Sequence, residues 1–150
     1  MEKRVVFLGS DHAGFDVKNK IKKLLKRKYD VFDLSPKKIK GDDYPDIAFK
    51  LGEFVRSHGR SKGILICGSG VGMAVAANKV HGIRAVAAND EYTAKMSRLD
   101  GDSNVLGLSG RHGSFAKKKK ILDVWLKTEF SDEERHKRRI EKIKRYEGRR

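Results

Sequence analysis

The chain has 150 residues, with 35 Lys+Arg against 20 Asp+Glu, 38% hydrophobic residues and one cysteine. That length suits one domain with one core, and it points to a single domain over 1–150, because two independent units would each be too small to bury a comfortable core. The lone Cys67 excludes an internal disulfide framework and a multi-cysteine zinc site, and it fits a reducing compartment. No run approaches the roughly 18 to 20 apolar residues of a membrane helix, and the opening stretch is too poor in apolar residues for a signal peptide, so a cytoplasmic protein is expected.

Short apolar runs alternate with helical patterns. Val5-Val6-Phe7-Leu8 reads as a buried strand, followed by Gly9-Ser10-Asp11-His12-Ala13-Gly14 and a helix over 15–29 with Val17, Ile21, Leu24 and Leu25 on one stripe. Val31-Phe32-Asp33-Leu34 is a second strand, leading into a polar loop over 35–44. Pro45 suits a first helical position, and Ile47, Leu51, Phe54 and Val55 give the next helix its face. Gly63-Ile64-Leu65-Ile66-Cys67 lacks the alternation of a half-exposed strand and reads as fully buried. A glycine-rich turn and a small-residue helix over 73–79 follow. Strands over 84–88 and 104–108 enclose a helix over 91–99, and helices over 114–127 and about 131–146 close the chain. This alternation is the pattern of an α/β fold with a mostly parallel sheet. The last helix, poor in core residues, is expected to pack on a surface such as a partner subunit's.

The net charge of +15 is concentrated in residues 16–40 and 111–150, which sum to +7 and +8. Lys18, Lys20, Lys22, Lys23, Lys26, Arg27, Lys28 and the run 117–120 are expected to coat solvated helix faces. No aromatic residues interleave with them to stack on bases, which favours plain surface over nucleic-acid contact.

Ligands of open α/β sheets bind beyond the carboxyl ends of the strands. Cys67-Gly68-Ser69-Gly70-Val71-Gly72 lies at such an end. Its glycines let backbone N–H groups approach an oxyanion beside a helix N-terminus. A thiol there holds a larger thiolate fraction than a free one, although a buried filler role for Cys67 is also open. The turn is neither a Walker A loop nor a dinucleotide fingerprint. Asp11-His12 follows the first strand, where His12 could meet a phosphate, act as acid or base, or cap the next helix. Arg135 and Arg139, four residues apart on one helix face, could grip one phosphate or form ordinary surface. The five histidines show no zinc-ligand spacing, so no metal is expected.

From Val5 to the last helix the chain resembles the type B ribose-5-phosphate isomerases and the related galactose-6-phosphate isomerase subunits. The resemblance is carried by Gly9-Ser10-Asp11-His12-Ala13-Gly14-Phe15, Asp43-Tyr44-Pro45, and the stretch from Ile64 to Gly72. Ala76-Ala77-Asn78-Lys79, Gly82-Ile83-Arg84-Ala85, Gly110-Arg111 and Arg135-His136 with Arg139 continue it. It implies a Rossmann-like three-layer sandwich with five strands. It further implies cofactor-independent aldose–ketose isomerisation of a sugar phosphate, by default ribose 5-phosphate to ribulose 5-phosphate through a cis-enediolate. Carried over residue by residue, Cys67 is the base and Ser69 assists. The amides of Gly68, Gly70, Val71 and Gly72 hold the enediolate oxygen, Asp11 and Tyr44 hold sugar oxygens, and His12, Arg111, Arg135 and Arg139 grip the phosphate. The resemblance also implies a homodimer, or a dimer of dimers, with shared sites.

One departure stands out. The family's Ser-Arg-x-His-Asn context reads Ser97-Arg98-Leu99-Asp100-Gly101 here, so Asp100 replaces the histidine assigned to ring opening and Gly101 the enediolate-holding asparagine. Asp100 could accept a proton from the anomeric hydroxyl, but an ordinary carboxylate is a poor acid near neutral pH, so ring opening is expected to be slow, to use His112, or to matter little for a substrate mostly in open-chain form. An isomerase of another pentose or a hexose phosphate, or a phosphosugar-binding protein of reduced activity, also fits.

Overall fold

The computed structural model describes residues 2–149. Strands β1 (Val5–Ser10), β2 (Asp30–Asp33), β3 (Lys62–Cys67), β4 (Ala85–Ala87) and β5 (Val105–Ser109) alternate with helices. These are α1 (Phe15–Leu25), α2 (Tyr44–Ser57), α3 (Val71–Ala77), α4 (Glu91–Leu99), α5 (Phe115–Lys127) and α6 (Glu134–Glu147). The sheet order is β2-β1-β3-β5-β4, and every pairing is parallel rather than mostly so.

Period-two alternation explains the apolar strands, because both faces of the sheet are covered. Val6, Leu8, Ile64, Ile66, Leu106 and Leu108 meet α1, α4 and α5 through Ile21, Leu25, Ala94, Ile121, Leu122 and Trp125. Phe7, Leu65, Cys67 and Val105 meet α2 and α3 through Ala48, Leu51, Val55, Met73, Ala76 and Ala77. The result is the expected Rossmann-like three-layer arrangement, with α6 added at the amino edge of the sheet. There α6 packs on its own chain: His136 and Ile140 are buried, and Glu147 accepts a hydrogen bond from the Gly82 N–H at 2.8 Å.

Two lysines depart from the expected solvated faces. The inward stripe of α1 is Lys18, Ile21 and Leu25, rotated from the purely apolar reading, so Val17 is only half-buried and Leu24 is at the surface. Lys18 is 0% exposed. Its Nζ donates to both Asp33 carboxylate oxygens, at 2.9 and 2.8 Å, and to the Ser35 carbonyl at 2.6 Å. Lys22 joins the same carboxylate at 2.9 Å. A long aliphatic stem lets lysine fill an apolar stripe when its charged head finds a partner at the far end. Lys118 is likewise buried on α5. It donates to the carbonyls of His112 and Gly113 at 2.5 and 2.6 Å, and burial holds its ammonium below the usual lysine range.

Helix α1 stops at Leu25 rather than continuing to 29, because the chain turns there: the N–H groups of Lys28 and Tyr29 both bond the Leu25 carbonyl. Strand β4 is shorter than the apolar run suggests. Arg84 sits before it, with its N–H bonded to Asn104 Oδ1 and its guanidinium on the loop at 101–102.

Candidate active site

The strand order reverses between β1 and β3: the chain leaves β1 toward β2 on one side and leaves β3 toward β5 and β4 on the other. The loops after β1 and β3 therefore diverge and open a crevice at the carboxyl ends of the strands. Asp11, His12, Tyr44, Cys67, Gly68, Ser69, Val71, Gly72 and Arg111 line this cleft of about 670 Å³. Cys67 is only 3% exposed, yet it borders the cleft, so its thiol is packed from behind and accessible from one side.

The turn that presents the sulfur is built from its own backbone. Gly70 has φ +81°, a conformation that costs other residues energy, and a Cβ there would lie 2.8 Å from the Leu108 carbonyl carbon. In this conformation the Gly70 N–H donates to Cys67 Sγ at 3.1 Å, an amide dipole aimed at the sulfur. Gly70→Ala should therefore lower stability by about 2 kcal/mol and reduce turnover as well, read by a thermal melt and an initial-rate assay on the same sample. The Val71 N–H bonds Ser69 Oγ at 3.2 Å. The Tyr44 ring leans over Gly72, where a Cβ would stand 2.6 Å from the Tyr44 Cζ.

The opposite wall is held by Ser109, which the sequence places at the carboxyl end of a strand without showing what it braces. Ser109 Oγ donates to the Gly68 carbonyl at 2.7 Å and accepts from the N–H groups of Arg111 and His112, at 3.2 and 2.8 Å. The Gly110 N–H bonds the Cys67 carbonyl at 2.7 Å. These bonds fasten the Arg111 loop to the Cys67 turn, so the guanidinium lies across Gly68. His112 is not among the residues lining the cleft.

At the mouth of the cleft, Asp42 Oδ1 accepts from the His12 backbone N–H at 2.8 Å and lies 2.8 Å from His12 Nδ1. A carboxylate only accepts, so Nδ1 carries the proton and Nε2 is left for a ligand. Asp11 Oδ1 caps the next turn by accepting from the Gly14 N–H at 3.0 Å. Asp42 was not legible: it lies 30 residues from His12, with no periodic or motif spacing between them.

The remaining expected residues lie elsewhere on the chain. Asp100 follows the carboxyl end of α4, near the start of β5, whereas Cys67 pairs with Ser109 at the far end of β5. The two ends are separated by about 13 Å along the strand at ~3.3 Å per residue. Arg135 and Arg139 are exposed on α6, at the same edge as Asp100, and Arg135 Nε bonds Glu133 Oε2 at 2.7 Å. The chain thus carries a thiol cleft with Arg111 at one edge of the sheet and a carboxylate with two arginines at the other. Among the described residues, no helix is long and apolar enough to cross a membrane, and no group of three His, Cys, Asp or Glu is placed to hold a metal.

Comparison with known proteins gives the same outline. The family model described as Ribose/Galactose Isomerase matches residues 6–143. Ribose-5-phosphate isomerase B of Escherichia coli is 39% identical over 149 residues, covering 99% of each chain. The crystal structure of ribose-5-phosphate isomerase B from Mycoplasma genitalium with bound ribulose 5-phosphate has a TM-score of 0.91 at 40% identity, over 99% of each chain. The ribose-5-phosphate isomerase B of Clostridium thermocellum superposes with a TM-score of 0.92 at 41% identity, over 97% of this chain and 98% of that one. With this fold, this cleft and these relatives, the chain belongs to the ribose/galactose isomerase family and is an aldose–ketose isomerase.

Proposed function

We propose that the chain is one sugar-phosphate isomerase domain that interconverts ribose 5-phosphate and ribulose 5-phosphate, with Cys67 as the base. The observation that carries this is the thiol at the cleft wall with the Gly70 amide on its sulfur. The proton on C2 of the open-chain aldose is weakly acidic. Its removal needs a positioned base together with donors for the oxygen on which charge develops. Cys67 takes the C2 proton, the enediolate forms, and the same sulfur returns the proton to C1. The Gly70 and Val71 amides already serve Sγ and Ser69 Oγ, which leaves those of Gly68, Ser69 and Gly72 for the enediolate oxygen. Asp11, Tyr44 and Ser69 hold sugar oxygens. Arg111 and His12 approach the phosphate, and binding energy at that remote group positions the reacting carbon.

The site is completed by a second copy. Asp100, Arg135 and Arg139 lie toward the opposite edge of the sheet from the Cys67 of their own chain, and the α3 surface beside the cleft exposes Val71 and Val75, four residues apart, as a face for a partner. A homodimer with two shared sites, or a pair of such dimers, supplies both edges at once. Mixing tests this arrangement. Cys67→Ala and Arg139→Ala proteins, each poorly active alone on ribose 5-phosphate, should regain about a quarter of parental activity after dissociation and random reassociation, because each mixed dimer holds one intact site. No recovery beyond the average of the two would mean that each chain serves itself.

Asp100 and Gly101 favour one further reading, a shifted substrate. A higher kcat/KM on allose 6-phosphate or galactose 6-phosphate than on ribose 5-phosphate would establish it.

A further inference from the structure

We infer that Lys118 is a positioning residue for substrate: by gripping the backbone carbonyls of His112 and Gly113, it sets where the Arg111 guanidinium stands in the cleft. This rests on the reading above, in which Arg111 meets the phosphate.

The guanidinium depends on such support. Arg111 is exposed and lines the cleft, and no carboxylate of the described residues pairs with it. Its side chain lies over Gly68, with Nη1 3.2 Å from where a Cβ would stand. Its aim is therefore set by the backbone of residues 110–113.

That backbone is held from two sides by complementary groups. The Arg111 and His112 N–H groups bond Ser109 Oγ at 3.2 and 2.8 Å. The His112 and Gly113 carbonyls accept from Lys118 Nζ at 2.5 and 2.6 Å. Lysine suits the second task because an ammonium carries three donors and no acceptor. Ser109 fixes the start of the loop, and Lys118 fixes its end, where Gly113 turns the chain at φ +77° just before the Ser114 cap of α5.

This placement carries penalties that ordinary helix packing would avoid. Lys117, Lys119 and Lys120 are exposed, whereas Lys118 is 5% exposed. No carboxylate of the described residues pairs with it, and burial disfavours its charged form. It also stands near the amino end of α5, where the helix dipole disfavours a cation. An apolar residue on this inward stripe, beside Ile121 and Leu122, would escape both penalties. What lysine adds is the grip on two carbonyls of the Arg111 loop.

Steady-state kinetics and a double-mutant cycle test the assignment. Lys118→Met keeps the stem and removes the donors. It should raise KM for ribose 5-phosphate about 10-fold with kcat within about threefold of parent, because a loosened phosphate grip weakens ground state and transition state together. A merely structural role would instead lower kcat along with the melting temperature. In an Arg111→Ala background the same substitution should change KM by less than about twofold, because the side chain through which Lys118 acts is gone. Lys118→Ala, which keeps a strong helix former and opens the carbonyls to water, should show the same split and stands as a test even where Lys118→Met fails to fold. Unchanged KM in the folded Lys118 variant, or an equal factor with and without Arg111, would overturn the inference and leave the isomerase reading standing. Absence of ribose 5-phosphate turnover in the parent protein would overturn that reading. The cycle is then read as Kd for ribulose 5-phosphate by calorimetry, where an equal loss with and without Arg111 again overturns the role of Lys118.

Discussion

Cys67→Ala should reduce kcat on ribose 5-phosphate by about 10³-fold or more, near the middle of what a positioned acid–base group contributes. The variant keeps the cleft, the Ser109 bonds and the Arg111 wall, so substrate should still bind and KM should change little. Losing a small side chain that is 3% exposed costs on the order of 1 kcal/mol of stability, so a normal fold with no turnover is the expected pairing of results. Equal rates in parent and variant would remove Cys67 from the mechanism. Cys67→Ser sharpens the test, because a hydroxyl sits in nearly the same volume but is a much poorer proton acceptor at neutral pH. It should resemble the alanine variant in rate and the parent in stability.

The largest stability effect should come from Asp33→Asn. Lys18 and Asp33 side chains are 0% and 5% exposed, and Lys22 bonds the same carboxylate. Removing the charge leaves a buried ammonium without its counter-ion, which typically costs about 3–5 kcal/mol. For a chain of this size that corresponds to a melting temperature lower by roughly 10 °C. Lys18→Met, which removes the cation and fills the stripe with a similar stem, should cost less, since Asp33 retains Lys22. The same pair sets a pH dependence. Burial alone would push the Asp33 carboxyl up, but the hydrogen bonds from Lys18, Lys22 and the Ser35 N–H outweigh it and hold the group below its ordinary 3.8. A carboxyl depressed in the folded state adds stability that is fully present above its unfolded value and is lost as the pH falls through the folded one. Acid melts should therefore show a loss beginning below about pH 4 in the parent, and a smaller one in Asp33→Asn. Identical acid profiles would show that the pair contributes nothing to acid stability.

Much of the architecture is readable along the chain. Apolar runs such as Ile64-Leu65-Ile66 mark the central strands, because a strand covered on both faces needs no alternation, and Val31-Phe32 marks the edge strand β2, whose residues alternate between exposed and half-buried. Periodicity places helix α1 but not its rotation: residue type alone puts Lys18 in water, whereas Asp33, 15 positions away, draws it inward. The Cys67 turn was legible because its glycines are consecutive in sequence and its geometry is local. The residues that brace it were not. Ser109 reaches Gly68 across 41 positions and Asp42 reaches His12 across 30, and no local pattern encodes such contacts.

Local chemistry along the chain was therefore sufficient to place the strands, the sulfur and the glycines that present it, since each depends on neighbours a few residues apart. Which face Lys18 turns to, which side chains fasten the walls of the cleft, and the separation of Asp100, Arg135 and Arg139 from Cys67 to opposite edges of the sheet emerged only on folding. These features depend on strand order and on contacts between distant segments, and the same linear string of residue types could have satisfied its local preferences in several such arrangements.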